Sequence, residues 1–248
     1  IYGFQDTPII GRQFYCIKTD SLGNQQWTQT YSLDGTSVAF SAHQTQDDGF
    51  IISGYGYHNT QGYQMYIVKT DSNGQQIWNK HYGTTGDDAA CTLTKRNNNT
   101  YIIRGGAYEN NKRTTWLAPI NEQGQLLSPF KKYALGDIFW LSNELVLLPD
   151  QTLIGVGTTT EQLGITPIKG LTVKFDSQLD TVWSKTYQTY PDDDDYFRDI
   201  EPTPDGGFLL AGFNYTQNGS WLVKIDSLGN TCSFLGCDSV GITSTNEI

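Results

Sequence analysis

The residues in this chain whose types suit chemistry are mostly carboxylates. Asp34, Asp87, Asp88, Asp137, the run Asp192–Asp195 and Asp238 each stand in a polar stretch between apolar segments. Carboxylates brought within a few ångströms repel one another, and a hard cation such as Ca2+ relieves that repulsion. The candidate metal set is Asp87, Asp88, Asp137, Asp192, Asp193 and Asp194; no other cofactor is expected. The sequence has no DxDxDG calcium loop. The competing reading is that each Asp caps a turn and that the four-Asp run is a solvated loop. A second group is aromatic. Tyr55, Tyr57, Tyr63, Tyr108 and Tyr215 stand among Asn, Gln and Thr, a mixture that suits glycan or protein binding by stacking and adaptable hydrogen bonds. Turn-rich loops also collect Tyr and Asn for conformational reasons.

Catalytic patterns are thin. A glycosidase needs two positioned carboxylates, for which Glu144, Asp199 and Glu201 are the candidates. A sialidase would need an arginine triad drawn from only five arginines, 12, 96, 104, 113 and 198. His43, His58 and His81 are scattered singly, and no CxxC or HExxH occurs. The chain is therefore expected not to be an enzyme. Cys232 and Cys237 lie close enough in sequence to bridge a local loop in an oxidising compartment, whereas Cys16 and Cys91 sit inside apolar runs as small hydrophobes.

The elements that must carry these residues are written in a repeat. Met65–Gly83 reads as two alternating strands joined by Asp71-Ser72-Asn73-Gly74, an Asx turn opener followed by a glycine free to take positive φ. The same hairpin recurs with openers Asp20, Asp71, Asn121, Asp176 and Asp226, spaced 51, 50, 55 and 50 residues apart. A fixed period of this size signals a propeller, solenoid or array. Leu179 stands where the other turns have Gly, which predicts a different turn with Asp180 in the left-handed region. Between hairpins lies a second strand pair, such as Ser37–Gly56. Gly54, Gly105, Gly155 and Gly212 fall at matching places, where backbones would approach closely.

One repeat is therefore four antiparallel strands, a to d, and the fold class is all-β: a single β-propeller domain. The full blades run roughly 37–83, 89–133, 138–188 and 196–236. A fifth combines 1–32 with a closing strand from 241–248, so that the two chain ends pair and no sheet edge stays open. The competing reading is a fragment of a longer array. The acidic loops lead into strand a and are expected to open on one face around a central channel. With the strands so assigned, the Tyr-rich b–c loops are expected on the opposite face.

Composition limits the partners. A 248-residue chain with formal charge −10, fifteen Tyr, eleven Phe, six Trp and few basic residues has no stripe to neutralise nucleic acid and little affinity for anionic lipid. No apolar run approaches the ~18 residues a membrane helix needs. No signal peptide is visible, and Ile1 reads as the middle of an element, as in a chain whose leader has been removed or left out.

The K-T-D-S-x-G-x-x-x-W hairpin resembles the tryptophan-docking repeat of quinoprotein-type propellers. That resemblance implies that Trp27, Trp78 and Trp183 pack on the next blade, while Ser128 and Ser233 replace Trp elsewhere and Leu126, Leu127 or Phe130 substitutes in one blade. The fuller pattern, IKTDSxGNxxWxKxYG…DD…DGGFIIAG, resembles repeats in secreted and surface proteins of Bacteroidota, which often carry type IX secretion sorting or adhesive modules. It covers nearly the whole chain. It implies export to the surface or medium and a non-catalytic, protein- or glycan-binding role; a glycan-acting hydrolase and a structural spacer are the alternatives.

Overall fold

The structure is a computed structural model that describes residues 1–7, 11–84, 86–97, 99–109, 112–134, 138–231 and 243–244. Nineteen strands and no helix occur among the described residues. Strands β1 (Tyr2–Thr7), β2 (Gly11–Thr19) and β3 (Gln25–Tyr31) form one antiparallel sheet. Next comes the four-stranded sheet of β4 (Ser37–Gln44), β5 (Phe50–His58), β6 (Gly62–Thr70) and β7 (Gln76–Tyr82). The third repeat supplies β8 (Asp88–Lys95), β9 (Thr100–Glu109), β10 (Lys112–Asn121) and β11 (Lys131–Tyr133). The fourth supplies β12 (Ile138–Leu147), β13 (Leu153–Thr160), β14 (Lys169–Phe175) and β15 (Thr181–Tyr187). The fifth has β16 (Asp195–Pro202), β17 (Phe208–Asn214) and β18 (Gly219–Ile225), and β19 (Thr243–Ser244) is last. The chain divides into two compact units, Ile1–Glu109 with Trp116–Lys131, and Asn110–Thr115 with Lys132–Ile248.

The up-and-down order a-b-c-d follows from turns that the sequence spells out. All five openers accept two backbone N–H groups on one carboxylate or amide oxygen, as Asp71 Oδ1 does from Asn73 and Gln75 at 2.9 and 2.8 Å. Every residue of β13 (LIGVGTTT) is buried, whereas β7 (QIWNKHY) is exposed or half-buried throughout. Both units have their cores between neighbouring sheets. In the first, Phe14, Cys16, Ala39, Ile52 and Val68 form one seam and Ile51, Met65, Cys91, Tyr101 and Trp116 the next. In the second, Ile154, Tyr187, Phe197, Leu210 and Trp221 do the same.

Strand d meets the hairpin of the following repeat through an aromatic pair. Trp27 donates its indole N–H to the Ser72 carbonyl at 3.0 Å, and the Trp78 and Trp183 rings lie against Gly124 and Gly229. Four residues after each Trp comes a tyrosine whose hydroxyl donates to the carbonyl of the left-handed turn residue. These bonds are Tyr31 to Gly74 at 2.6 Å, Tyr82 to Gly124 at 2.6 Å and Tyr187 to Gly229 at 2.8 Å. Tyr133 makes the same bond to Leu179 although its repeat has Ser128 for Trp. In that repeat Leu126 and Leu127 are exposed, and Phe130 packs on Trp116 and Tyr82.

Three expectations are corrected. Leu179 itself takes the left-handed conformation (φ 68°), and the turn keeps the hydrogen bonds of its siblings; burial of the Leu179 side chain offsets the backbone strain. The glycine matching Gly54 is Gly157, not Gly155. The a–b turn bonds, Thr45 N–H to Gly49 and Leu148 N–H to Thr152, set the frame and place Gly157 opposite Leu141 at the break in register. Finally, the closing strand is not on β1. Thr243 and Ser244 pair with Thr186 and Lys185 of β15, and β1 pairs with β2 alone among the described residues. Strand β15 is the outer strand of its sheet, and an unpaired edge accepts any extended segment within reach.

Candidate functional site

Several of the acids expected at a cation site serve as acceptors for backbone N–H groups. Strand a opens with Ser37, Asp88 or Asp195, and each takes the N–H of the loop that precedes it: Leu33 at 3.3 Å on Ser37 Oγ, Thr84 on Asp88 Oδ2, and Thr189 at 2.6 Å on Asp195 Oδ2. The neighbouring acid ties that loop to the b–c loop. Asp87 Oδ1 accepts Tyr63 N–H at 3.1 Å and Asp194 Oδ1 accepts Ile168 N–H at 2.7 Å, while Asp34 Oδ2 accepts Asn59 N–H at 3.0 Å. Asp193 is buried and receives the amides of Asn214 and Gln217 at 2.8 and 2.9 Å. Burial pushes the Asp195 carboxyl above the usual range, against the pull of its hydrogen bonds to Thr189 and Asn214.

Asp192 lies with Asp194 in a recess of about 430 Å³ walled by Leu163–Ile168. Asp137 and Asp238 lie outside the described residues, as do Cys232 and Cys237. Among the described residues no three His, Cys, Asp or Glu side chains are grouped to hold a metal ion.

These bonds place the acidic loops and the Tyr-rich loops on one face of each unit, which corrects the expectation of opposite faces. The reason is topological: in an up-and-down meander, the loop that leaves strand b and the loop that enters strand a both lie at the end where b finishes and a begins.

On this shared face Tyr55, Tyr57 and Tyr63 meet edge to face, with centroids 5.5 Å apart for Tyr55–Tyr63 and 5.4 Å for Tyr57–Tyr63, and Phe40 extends the row at 5.6 Å from Tyr55. Such edge-to-face geometry suits the ring quadrupole. Beside them His58 and His81 lie 4.6 Å apart; burial, then the charge of His58, lowers the pKa of His81. The a–b turn frame puts Tyr57, Tyr108 and Tyr215 at one position of the repeat, and they are 38%, 56% and 67% exposed. Thr160 takes this place in the fourth sheet.

Asp199 and Glu201 are exposed on β16, Asp199 accepting Ile200 N–H at 2.9 Å, and the side chain of Glu144 lies outside the described residues. A feature that sequence reasoning missed is the stack of Tyr196 on Phe213, 4.7 Å apart and 9° from parallel, with the Arg198 guanidinium 5.3 Å from the Phe213 centroid. Its only sequence signal is a Tyr and an Arg at alternate positions of a half-buried strand.

Comparison with protein-family models gave no match for this chain, and neither did comparison with curated proteins.

Proposed function

We propose that this chain is a five-bladed β-propeller of the extracellular space or cell surface that binds a protein or glycan through its b–c loops and performs no catalysis. One observation carries the reading. Tyr57, Tyr108 and Tyr215 recur at one position of the repeat and stay exposed, while acids at the same end of the repeats in each unit accept backbone N–H and amide groups. Large exposed aromatics on loops held by a rigid sheet present contact area at low entropic cost. The reading assigns no role to Ca2+; Asp87, Asp88, Asp193 and Asp194 accept backbone N–H or side-chain amide groups. The surface location rests on the acidic, aromatic-rich composition and on the resemblance to exported repeats of Bacteroidota.

The test is a glycan and peptide array probed with the wild type and with Tyr57→Ser/Tyr108→Ser/Tyr215→Ser. Binding by the wild type that the triple variant loses, at unchanged melting temperature, is the expected result. Binding that survives the triple change, or a wild type that binds nothing, would overturn it. Cleavage of an array glycan, lost with Asp199→Asn and Glu201→Gln, would turn the assignment to a hydrolase.

A further inference from the structure

The third repeat departs from its siblings at neighbouring positions of the turn end. Two residues before the turn opener the other repeats have Lys18, Lys69, Lys174 and Lys224, and the third has Pro119. One residue after the opener they have Ser21, Ser72, Ser177 and Ser227, and the third has Glu122. Near the start of strand b, Tyr101 stands where Phe50, Leu153 and Phe208 stand in theirs.

The lysine has a set of oxygen partners in the second and fifth repeats. Lys69 Nζ, on a buried side chain, donates to Asp47 Oδ2 at 2.8 Å and to the Thr70 carbonyl at 2.9 Å. Lys224 Nζ does the same with Asp205 at 2.9 Å and the Ile225 carbonyl at 3.1 Å. An added Cβ would lie 2.7 Å from Lys69 Nζ at Gly49 and 2.5 Å from Lys224 Nζ at Gly207. Thr100 holds that position in the third repeat, so its hydroxyl stands beside the place where those two repeats carry an ammonium.

The oxygens gathered here lack donors. Among the described residues Thr100 Oγ1, Tyr101 Oη and Glu122 Oε1 are buried without a hydrogen-bond partner. Tyr101 is fully buried, and burial, then the charges of Glu122 and Asp47, push its hydroxyl up to about 12. Thr100 and Glu122 line a cavity of about 550 Å³ together with Asp47, Gln123 and Leu127. The nearby lysines are engaged elsewhere: Lys69 on Asp47, and Lys80 on the Gln123 and Gly124 carbonyls. A carboxylate oxygen shut away from water carries a desolvation cost that a charged donor offsets. An ammonium, all donor and no acceptor, suits a carboxylate flanked by two hydroxyl oxygens.

We propose that this cavity binds an alkylammonium group, as presented by a lysine side chain of a partner or by a free aliphatic amine. Its N–H groups bond Glu122, with Thr100 and Tyr101 as further acceptors, and its alkyl stem lies on the exposed Leu127. The site is at the turn end of its sheets, opposite the b–c loops, and stands independently of the tyrosine surface.

The probes are cadaverine and Nα-acetyl-lysine amide, titrated calorimetrically into the full chain, with inositol and Ca2+ as neutral and metal controls. Saturable binding of an amine is expected, the tighter probe telling a lysine side chain from a free diamine. Glu122→Ser restores the residue of the other repeats and should weaken binding at least about tenfold. It should not lower the melting temperature of the unliganded chain, because the oxygen it removes has no donor. Pro119→Lys supplies an ammonium within the chain and should weaken amine binding by competition. No amine binding at millimolar concentration would overturn the proposal, as would equal binding by Glu122→Ser. So would binding of inositol or Ca2+ as tight as that of the amines, which would assign the cavity to a hydroxyl ligand or a metal ion.

Discussion

The two ends of each sheet are made differently. At the end with the a–b and c–d turns, five Asx turns repeat the same bonds, and four tyrosines lock onto the next hairpin. At the end with the b–c and d–a loops the capping acids repeat and an exposed tyrosine recurs at one position in three sheets, while the other side chains facing water change from sheet to sheet. The turn end meets the next hairpin through fixed tyrosine bonds, whereas the loop end is tied only through its acids, so sequence variation collects where a partner could read it. That difference separates scaffold from candidate surface without any ligand in view.

Substitutions should break the scaffold in proportion to how closely each residue meets its neighbour. Gly212→Ala places a methyl inside the van der Waals radius of the Tyr196 carbonyl, and a loss of about 4 kcal/mol or more is expected, visible as loss of cooperative unfolding. Trp183→Ala removes a half-buried ring from the turn at Gly229 and should cost about 3 kcal/mol in a urea titration. Tyr187→Phe keeps the ring and deletes one hydroxyl donor, so the same titration should show about 1 kcal/mol. The exposed tyrosines mark the other extreme: Tyr57→Ser, Tyr108→Ser and Tyr215→Ser should each stay within about 0.5 kcal/mol of wild type.

Acid titration sharpens the same contrast, because the two ends carry opposite signs. At the turn end, Asp47 is held at about 2, first by its bond with Lys69 at 2.8 Å and then by Thr45. Its folded pKa is below the unfolded value of about 3.9, so its contribution is present above that value and disappears as pH falls through about 2. At the loop end the folded pKa of Asp195 is raised, so its contribution is full below the unfolded value and is lost as pH rises through the folded one. In stability measured against pH, Asp47→Asn should therefore flatten the acid-side loss, and Asp195→Asn should remove a drift of opposite slope.

Much of the scaffold was legible because its devices are local. Asp-x-x-Gly fixes a turn from four residues, and the Trp follows in the returning strand at a set offset. The Tyr lock was present in the sequence as W-x-x-x-Y but had no visible partner, since the carbonyl it meets lies more than forty residues away. Leu179 misled because propensity penalises its backbone, while the burial that offsets the strain comes from tertiary packing. The acids misled in another way: residue type gives a charge, but only the fold shows that Asp88 and Asp195 point inward at N–H groups. Gly155 and Gly157 are both glycines in one apolar run, and only the hydrogen bonds of the a–b turn set which of them matches Gly54.

Two of the core residues are cysteines, Cys16 and Cys91. Each lies in a different seam of the first unit, and burial pushes both thiols up to about 12. A thiol in that state reacts with alkylating reagents only when its seam parts. The two cysteines are thus independent clocks set into adjacent joints, and their relative labelling rates would show whether this stack of sheets yields one joint at a time or all together.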